Sequence, residues 1–589
     1  MVPSNKNSVN QVVSRVRLWY GILLVILGLF VIRLFYVQVI QYGHYKTAAL
    51  NDQLKQYQIP ATRGVIEAYD GTNTLPIVLN QQLYTLYADP VYIKHADQVA
   101  AKLPAIIGGD ASSYQKLMST KDTRYVVLAR HLTAEQHAKI VALKYPGLGT
   151  QAQDYRTYPQ GSLASQLLGF VNDNGKGVYG IEQALNKQLA GTSGQLKAIT
   201  DVNGVPLAAS KDNTQLAPKN GQNIILTIDL AMQQQLETIL QKGVQHAKAA
   251  SGSALIMDPR TGAVKAMANF PTYDPAHYAT VDDPAVFQND AVSKPIEVGS
   301  TMKTLTTAAA LDQGVIQPNT TYYDPSFWLV DKFRITNIEE DGGAGTRSIA
   351  DILNLSLNTG ATWELMQMGG GQINDKARNA WHDYMVNHYM FGKPTGIEQG
   401  YESGGYVPSP AENGAGIDLT YANTSFGQAM TATPIQMGAA LSAVLNGGTY
   451  YQPHLVDQTV DANGTVTKVA PKVVKQHVVS AKTGAALIPL LQNVIQHHSF
   501  TKTFDQSTYT VGGKTGTAQI AKPGGGYDDN LFNGTYMGFV GGDSPQYVIV
   551  VFIDKPTNGG YAGTAAAQPV FGDLAHMLIN DSYVTPKNN

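Results

Sequence analysis

Ser300 and Lys303, three residues apart in Glu297-Val298-Gly299-Ser300-Thr301-Met302-Lys303, have the types and spacing for covalent chemistry. A serine hydroxyl is a poor nucleophile until a base takes its proton, and a desolvated lysine can be that base. A lysine that ordinarily titrates near ~10.4 must then release its proton near neutrality, a bias of roughly 4 kcal/mol. A buried, partly cationic site can supply it. Ser-x-x-Lys alone is a commonplace helix start. Here it is followed in order by Ser356-Leu357-Asn358 and by Gly513-Lys514-Thr515-Gly516-Thr517. These add a second hydroxyl, a carboxamide and a second lysine.

The elements around these residues can be read from pattern. Met302, Leu305, Ala309 and Leu311 predict a helix over 300–313 with Gly314 as its stop, so that Ser300 and Lys303 share a face. Short helices are predicted over 348–355 and 361–368, leaving Ser356 and Asn358 on their connection. Tyr509 to Ile520 alternates like a strand, and Gly512, Gly513 and Gly516 permit close approach of backbone and ligand. Ala481-Lys482-Thr483-Gly484 meets the same Lys-Thr-Gly pattern, but it follows the helix cap Ser480 and precedes an apolar helical run. Context therefore favours Lys514.

Further elements frame them. Asp229 caps a predicted helix carrying Met232, Leu236, Ile239, Leu240 and Val244 on one face. Residues 253–258 and 263–268 form a hairpin about Pro259-Arg260-Thr261-Gly262, and 535–540 and 547–554 are strands before a last helix over 565–579. Strands at both ends with helices between suggest an α+β fold, an antiparallel sheet sandwiched by helices. Upstream, Arg63-Gly64-Val65-Ile66 leads into a strand and the turn Asp70-Gly71. Gly177 to Glu182 opens an amphipathic helix ending near Gly191. Gly524-Gly525-Gly526 and Asn558-Gly559-Gly560 read as mobile loops beside the site, unlike phosphate loops.

Bulk properties exclude several classes. At 589 residues the chain should hold more than one domain, and a net charge of −2 gives no reason to expect nucleic acid. The absence of cysteine rules out disulfides, thiolate metal sites and a cysteine nucleophile. His95, His131 and His137 lack metal-ligand spacing, so no metal or cofactor is expected. Residues 1–17 carry Lys6, Arg15 and Arg17 and no acid. Residues 18–40 are uncharged apart from Arg33, and at ~1.5 Å per residue they span roughly 34 Å, enough to cross a bilayer. Arg33 would snorkel to the outer interface, and the basic flank places the N-terminus in the cytoplasm. No small-x-small cleavage site follows, so the segment reads as an uncleaved anchor.

With these motifs in place, the chain resembles a class B penicillin-binding protein, a membrane-anchored peptidoglycan D,D-transpeptidase. The ordered trio is the signature shared with class A β-lactamases. The likeness extends to Arg63-Gly64-x-Ile66, Arg156-x-Tyr158-Pro159-x-Gly161, Gly177-x-x-Gly180-x-Glu182, Asp258-Pro259-x-Thr261-Gly262 and Tyr561-x-Gly563 with Pro569-Val570-Phe571. One departure is Ala68-Tyr69, where the family usually has Asp-Arg. The implied domains are a cytoplasmic tail (1–17), an anchor (18–40), a non-catalytic pedestal (48–221) and a transpeptidase domain (222–582).

The resemblance implies that Ser300 attacks the D-Ala-D-Ala carbonyl of a stem pentapeptide on lipid-linked precursor strands, with Lys303 as base. Ser356 would pass a proton to the leaving amine, and Asn358 would hold Lys303 and the substrate amide. Lys514, Thr515, Gly516 and Thr517 would bind the terminal carboxylate. The backbone N–H groups of Ser300 and Thr517 would form the oxyanion hole, typically worth ~3–4 kcal/mol per donor. Penicillins would acylate Ser300. A membrane glycan polymerase and division proteins are the implied partners. Glu297-Val298-Gly299 and Asn358 favour the division type over the elongation type. The rivals are a D,D-carboxypeptidase, a β-lactamase, and a non-catalytic β-lactam sensor or division scaffold.

Overall fold

The uncharged run after Arg17 is helical. Lys6–Phe35 forms one α-helix and Tyr36–Ile40 a π-helical turn, with the Arg33 guanidinium over the Tyr36 ring. Among the described residues, Ser14–Ile40 is the one helix long and apolar enough to cross a membrane. The computed structural model describes residues 6–46, 54–120, 122–199, 214–337, 343–411, 416–497, 504–522 and 526–588. Gly524 and Gly525 of the predicted glycine loop lie outside them, as does residue 48, the expected pedestal start. The chain divides into two units. Met1–Ala61 with Gly191–Asn220 contains the apolar helix and a three-stranded antiparallel sheet, ordered Leu54–Ile59, Gly194–Ile199, Thr214–Leu216.

Thr62–Ala190 with Gly221–Asn589 holds everything else. Its centre is a five-stranded antiparallel sheet in the order Val264–Phe270, Ser251–Met257, Pro545–Asp554, Tyr527–Gly541, Thr510–Ala521. Alternate residues face opposite sides of a strand, and the sequence uses both sides. Ala254, Ile256, Val511, Ile549 and Val551 pack on the helices Leu230–His246 and Gln568–Asn580. Leu255, Met257, Met537, Phe539 and Val550 face Met302, Leu305, Ile435 and Leu491 on the other side. The sheet is thus sandwiched by helices, as expected. Asp229 caps the Leu230–His246 helix, its Oδ1 accepting from Met232 N at 2.9 Å.

A second sheet joins strands from residues 66–157 to strands from residues 223–468. Its order is Val466–Lys468, Val456–Val460, Asn223–Asp229, Ile66–Asp70, Asn73–Ala88, Val126–Leu132, with Leu148–Thr157 also on Asn73–Ala88. Beside it, buried Glu182 receives two arginines. Arg63 Nε donates to Oε2 and Arg156 Nε to Oε1, both at 2.8 Å. At the departure from the family pattern, Ala68 is buried and the Tyr69 hydroxyl donates to Asp457 Oδ2 at 2.5 Å.

Two local expectations change. The helix from Gly177 to Gly191 is two short helices, Gly180–Ala184 and Asn186–Ala190. Asn186 breaks it by turning its carboxamide back, where Oδ1 accepts from Gly177 N and Arg63 Nη1, each at 2.9 Å. The second helix after Ser348 begins at Asn358 rather than 361. Ser356 takes a left-handed φ of 58°, turning the chain fast enough that Asn358 opens the helix instead of lying before it.

Candidate active site

Ser300 lies in a single 3₁₀ turn, Gly299–Thr301, that runs into the α-helix Met302–Asp312. Gly299 takes φ 58°, and a Cβ there would stand 2.6 Å from the Thr517 carbonyl oxygen. Only glycine lets the turn sit this close to the Lys514 strand. Lys303, fully buried, donates from Nζ to Ser300 Oγ at 2.9 Å and to Asn358 Oδ1 at 2.8 Å. Ser356 receives it through its carbonyl and, at 3.2 Å, its Oγ. Lys514 donates to the same Ser356 Oγ at 3.0 Å. The Ser356 hydroxyl therefore bridges two lysines, and its left-handed backbone turns its own carbonyl to the first of them.

Asn358 is oriented from behind. Its Nδ2 donates to Thr336 O at 3.1 Å, which leaves Oδ1 for Lys303. Lys514, 1 % exposed, has neutral acceptors: Ser356 Oγ, Thr515 O at 3.1 Å and Thr515 Oγ1 at 3.3 Å. Burial alone brings its ammonium down to about 7. Glu297, just before the Ser300 turn, accepts from Ala429 N and from the Tyr527 hydroxyl, both at 2.9 Å. Burial pushes its carboxyl up.

Ser300, Ser356, Asn358, Thr515 and Thr517 open together onto a cleft of about 320 Å³. Lys303 and Lys514 lie beneath its floor. Gly516 is buried against the Ser300 turn, where a Cβ would meet Val298 O at 2.5 Å. Thr517 Oγ1 accepts from Gly563 N at 2.9 Å. The cleft also takes Phe426, Gln428, Gln519, Phe532, Tyr561 and Thr564. Of these the sequence reading reached only Tyr561. Gln519 was reachable, two residues beyond Thr517 on the same strand face. Phe426, Gln428, Phe532 and Thr564 carried no signal of their own. Lys482 is elsewhere: exposed, in the first turn of Ala481–Gln496, where Ser480 Oγ accepts from Thr483 N at 3.2 Å.

A cleft-facing hydroxyl paired with a buried amine, with amide and hydroxyl groups around them, can make and break an acyl ester on Ser300. Comparison with known sequences agrees. Residues 252–576, more than half of the chain, match the penicillin binding protein transpeptidase domain. Residues 58–226 match the penicillin-binding protein dimerisation domain. The chain belongs to the class B penicillin-binding proteins.

Among relatives, stage V sporulation protein D of Bacillus subtilis is 28% identical over 99% of this chain and 88% of its own length. The peptidoglycan D,D-transpeptidase FtsI of Buchnera aphidicola is 25% identical over 96% of this chain and 95% of its own. Penicillin binding protein 2X from Streptococcus thermophilus shares the fold, with a TM-score of 0.69, 24% identity, and coverage of 90% of this chain and 80% of that one. In this penicillin-binding protein the family's three motifs converge on one cleft.

Proposed function

We propose that this protein is a peptidoglycan D,D-transpeptidase that cross-links stem peptides through an acyl ester on Ser300, in septal wall synthesis. The observation that carries it is the placing of Lys303 Nζ 2.9 Å from Ser300 Oγ, with Ser356 Oγ shared between Lys303 and Lys514. Lys303 takes the Ser300 proton as Oγ bonds to the carbonyl carbon between two D-alanines. Backbone N–H groups of Ser300 and Thr517 hold the developing oxyanion. Ser356 delivers a proton to the leaving D-alanine nitrogen as the C–N bond breaks, and Lys303, 3.2 Å from its Oγ, replaces that proton with the one taken from Ser300. An acceptor stem amine then attacks the ester, forming the cross-link and returning the proton to Ser300. Asn358 fixes Lys303, while Lys514, Thr515, Gly516 and Thr517 take the terminal carboxylate, which penicillins mimic.

The same reading assigns residues 1–17 to the cytoplasm, 18–40 to a membrane anchor, 48–221 to a pedestal and 222–582 to the transpeptidase domain outside the membrane. Lys6, Arg15 and Arg17 before the apolar helix support that direction. A separate membrane glycan polymerase would supply the strands. The septal role is supported by the likeness to FtsI. The likeness to stage V sporulation protein D favours a second reading, in which the same reaction serves sporulation. The decisive experiment is Ser300→Ala: a folded variant should lose covalent labelling by a fluorescent penicillin and the cross-linking of pentapeptide stems. Undiminished labelling would sink the nucleophile assignment.

A further inference from the structure

Glu364 is fully buried on the Asn358–Met368 helix, six residues past Asn358. Thr307, four residues past Lys303, donates its hydroxyl to both carboxyl oxygens, at 2.9 and 3.1 Å. The acid therefore joins the helix of Lys303 to the helix that opens at Asn358. Two titratable groups face it: Lys303 from the first helix and Tyr322 from the strand Thr321–Asp324, with Asp324 behind the tyrosine at 3.2 Å. Burial pushes the carboxyl up to about 8, although the Thr307 hydrogen bond and Lys303 both favour its charged form. A carboxyl in a dry helix interface costs free energy that an apolar side chain would not. No motif of the site includes it.

We propose that Glu364 is a positioning residue that tunes Lys303 from behind, the two buried groups forming one coupled acid–base pair across the Thr307 contact. This rests on Lys303 being the base toward Ser300. A carboxylate beside a buried amine favours the ammonium, and a neutral carboxyl does not. Two such groups lose protons as a pair, and the arrangement with both uncharged places no ion in the interface. In that arrangement Lys303 is ready to take the Ser300 proton. The O–H bond breaks, its electron pair goes to the new bond with the acyl carbon, the proton goes to Nζ, and Glu364 keeps its own proton.

The test is the second-order rate of acylation by a penicillin, from about pH 5 to about pH 10, for the full-length protein and for Glu364→Gln and Thr307→Val. Glutamine keeps the size and an acceptor for Thr307 but cannot ionise. Its approach to the plateau should move to lower pH: near pH 6, where the wild-type carboxyl is also neutral, the two rates should coincide, and near about pH 9 the variant should lead by about 3-fold, with plateaus within about 3-fold. Thr307→Val removes the bond that favours the carboxylate, so its approach should move the same way by less. Lys514 is common to all three proteins and cancels. Superposable profiles for wild type and Glu364→Gln would reduce the acid to packing and overturn the proposal. So would a displacement to higher pH, or a folded Glu364→Gln protein that no longer acylates. Should Glu364→Gln not fold, the direction of Thr307→Val decides. Each of these outcomes can occur with Ser300 of the wild-type protein still labelled, so failure here is distinguishable from failure of the nucleophile.

Discussion

Arg63 and Arg156 beside the second sheet and Lys514 under the cleft are all basic side chains taken out of water, but their surroundings differ. The arginines close on the carboxylate of Glu182, with side chains 9% and 4% exposed around an acid that is fully buried. Asn186 and Asn80 take further guanidinium hydrogens at 2.9 and 2.8 Å. Lys514 is given hydroxyls and a carbonyl, and burial brings it down to about 7. A guanidinium cannot give up its proton in a protein, so its charge has to be balanced by a permanent partner. An ammonium can, and a site that withholds a partner keeps that proton negotiable. Around Glu182 buried charge is paired and fastens strands. Under the cleft it is left beside neutral acceptors where it can lose its proton, at a cost in stability.

Substitution at the two places should break this contrast if it is wrong. Glu182→Ala leaves two buried guanidinium groups uncompensated and should lower unfolding free energy by about 3–5 kcal/mol. Urea unfolding in detergent measures it, and penicillin acylation of the protein that remains folded should hold its rate. An unchanged midpoint would mean that the arginines find other partners.

Lys514→Met should act in the opposite sense on stability. Acylation should fall about 10²–10³-fold, the scale of a lost proton-handling or charge-placing group. Yet the variant should be more stable at pH 7. The unfolded lysine titrates near ~10.4 and the folded one near 7. Between those values the unfolded chain binds the extra proton, so this lysine's contribution to stability rises with pH across that window and is flat below it. The gain from methionine should be about 2–4 kcal/mol near pH 7 and shrink toward pH 10. A gain that stayed constant across that range would point to packing rather than to the buried amine.

Much of the cleft could be read from sequence because its parts are local. Ser300 and Lys303 needed only helical spacing, and the Lys514 strand needed only alternation. Asp229 and Ser480 were recognisable caps, and both accept the N–H bonds expected of them. What stayed hidden was long-range. The strand Ile66–Asp70 pairs with Asn223–Asp229, which pairs in turn with Val456–Val460, and no local pattern links three such segments. Arg63, Arg156 and Glu182 were each picked out, but their meeting depends on that sheet. Glu364 gave no signal because one acid in an apolar helix resembles any solvated turn until the helix is seen packed. Ser356 was placed on a connection, yet its left-handed backbone, which turns its carbonyl toward Lys303, belongs to the structure.

The smallest expected effect sharpens the comparison most, because it uses a third lysine with the same two neighbours in sequence. Lys482-Thr483-Gly484 and Lys514-Thr515-Gly516 are the same triplet, so any difference between them comes from their elements. Thr483 is spent on the helix: its N–H meets Ser480 Oγ at 3.2 Å and its hydroxyl donates to Asp312 Oδ1 at 2.9 Å. Gly484 is needed where a Cβ would stand 2.4 Å from Val444 O, which is packing. Lys482 is left exposed at the positive end of the helix dipole, solvated and a poor place to hold a catalytic charge. In the other triplet the strand turns Lys514 inward and sets Thr515 and Thr517 along the cleft. Lys482→Ala should therefore leave acylation within about 2-fold and shift stability by no more than about 0.5 kcal/mol, the range of surface substitutions. Measured beside Lys514→Met with the same penicillin, a large loss at Lys482 and none at Lys514 would show that the wrong triplet had been assigned to the cleft.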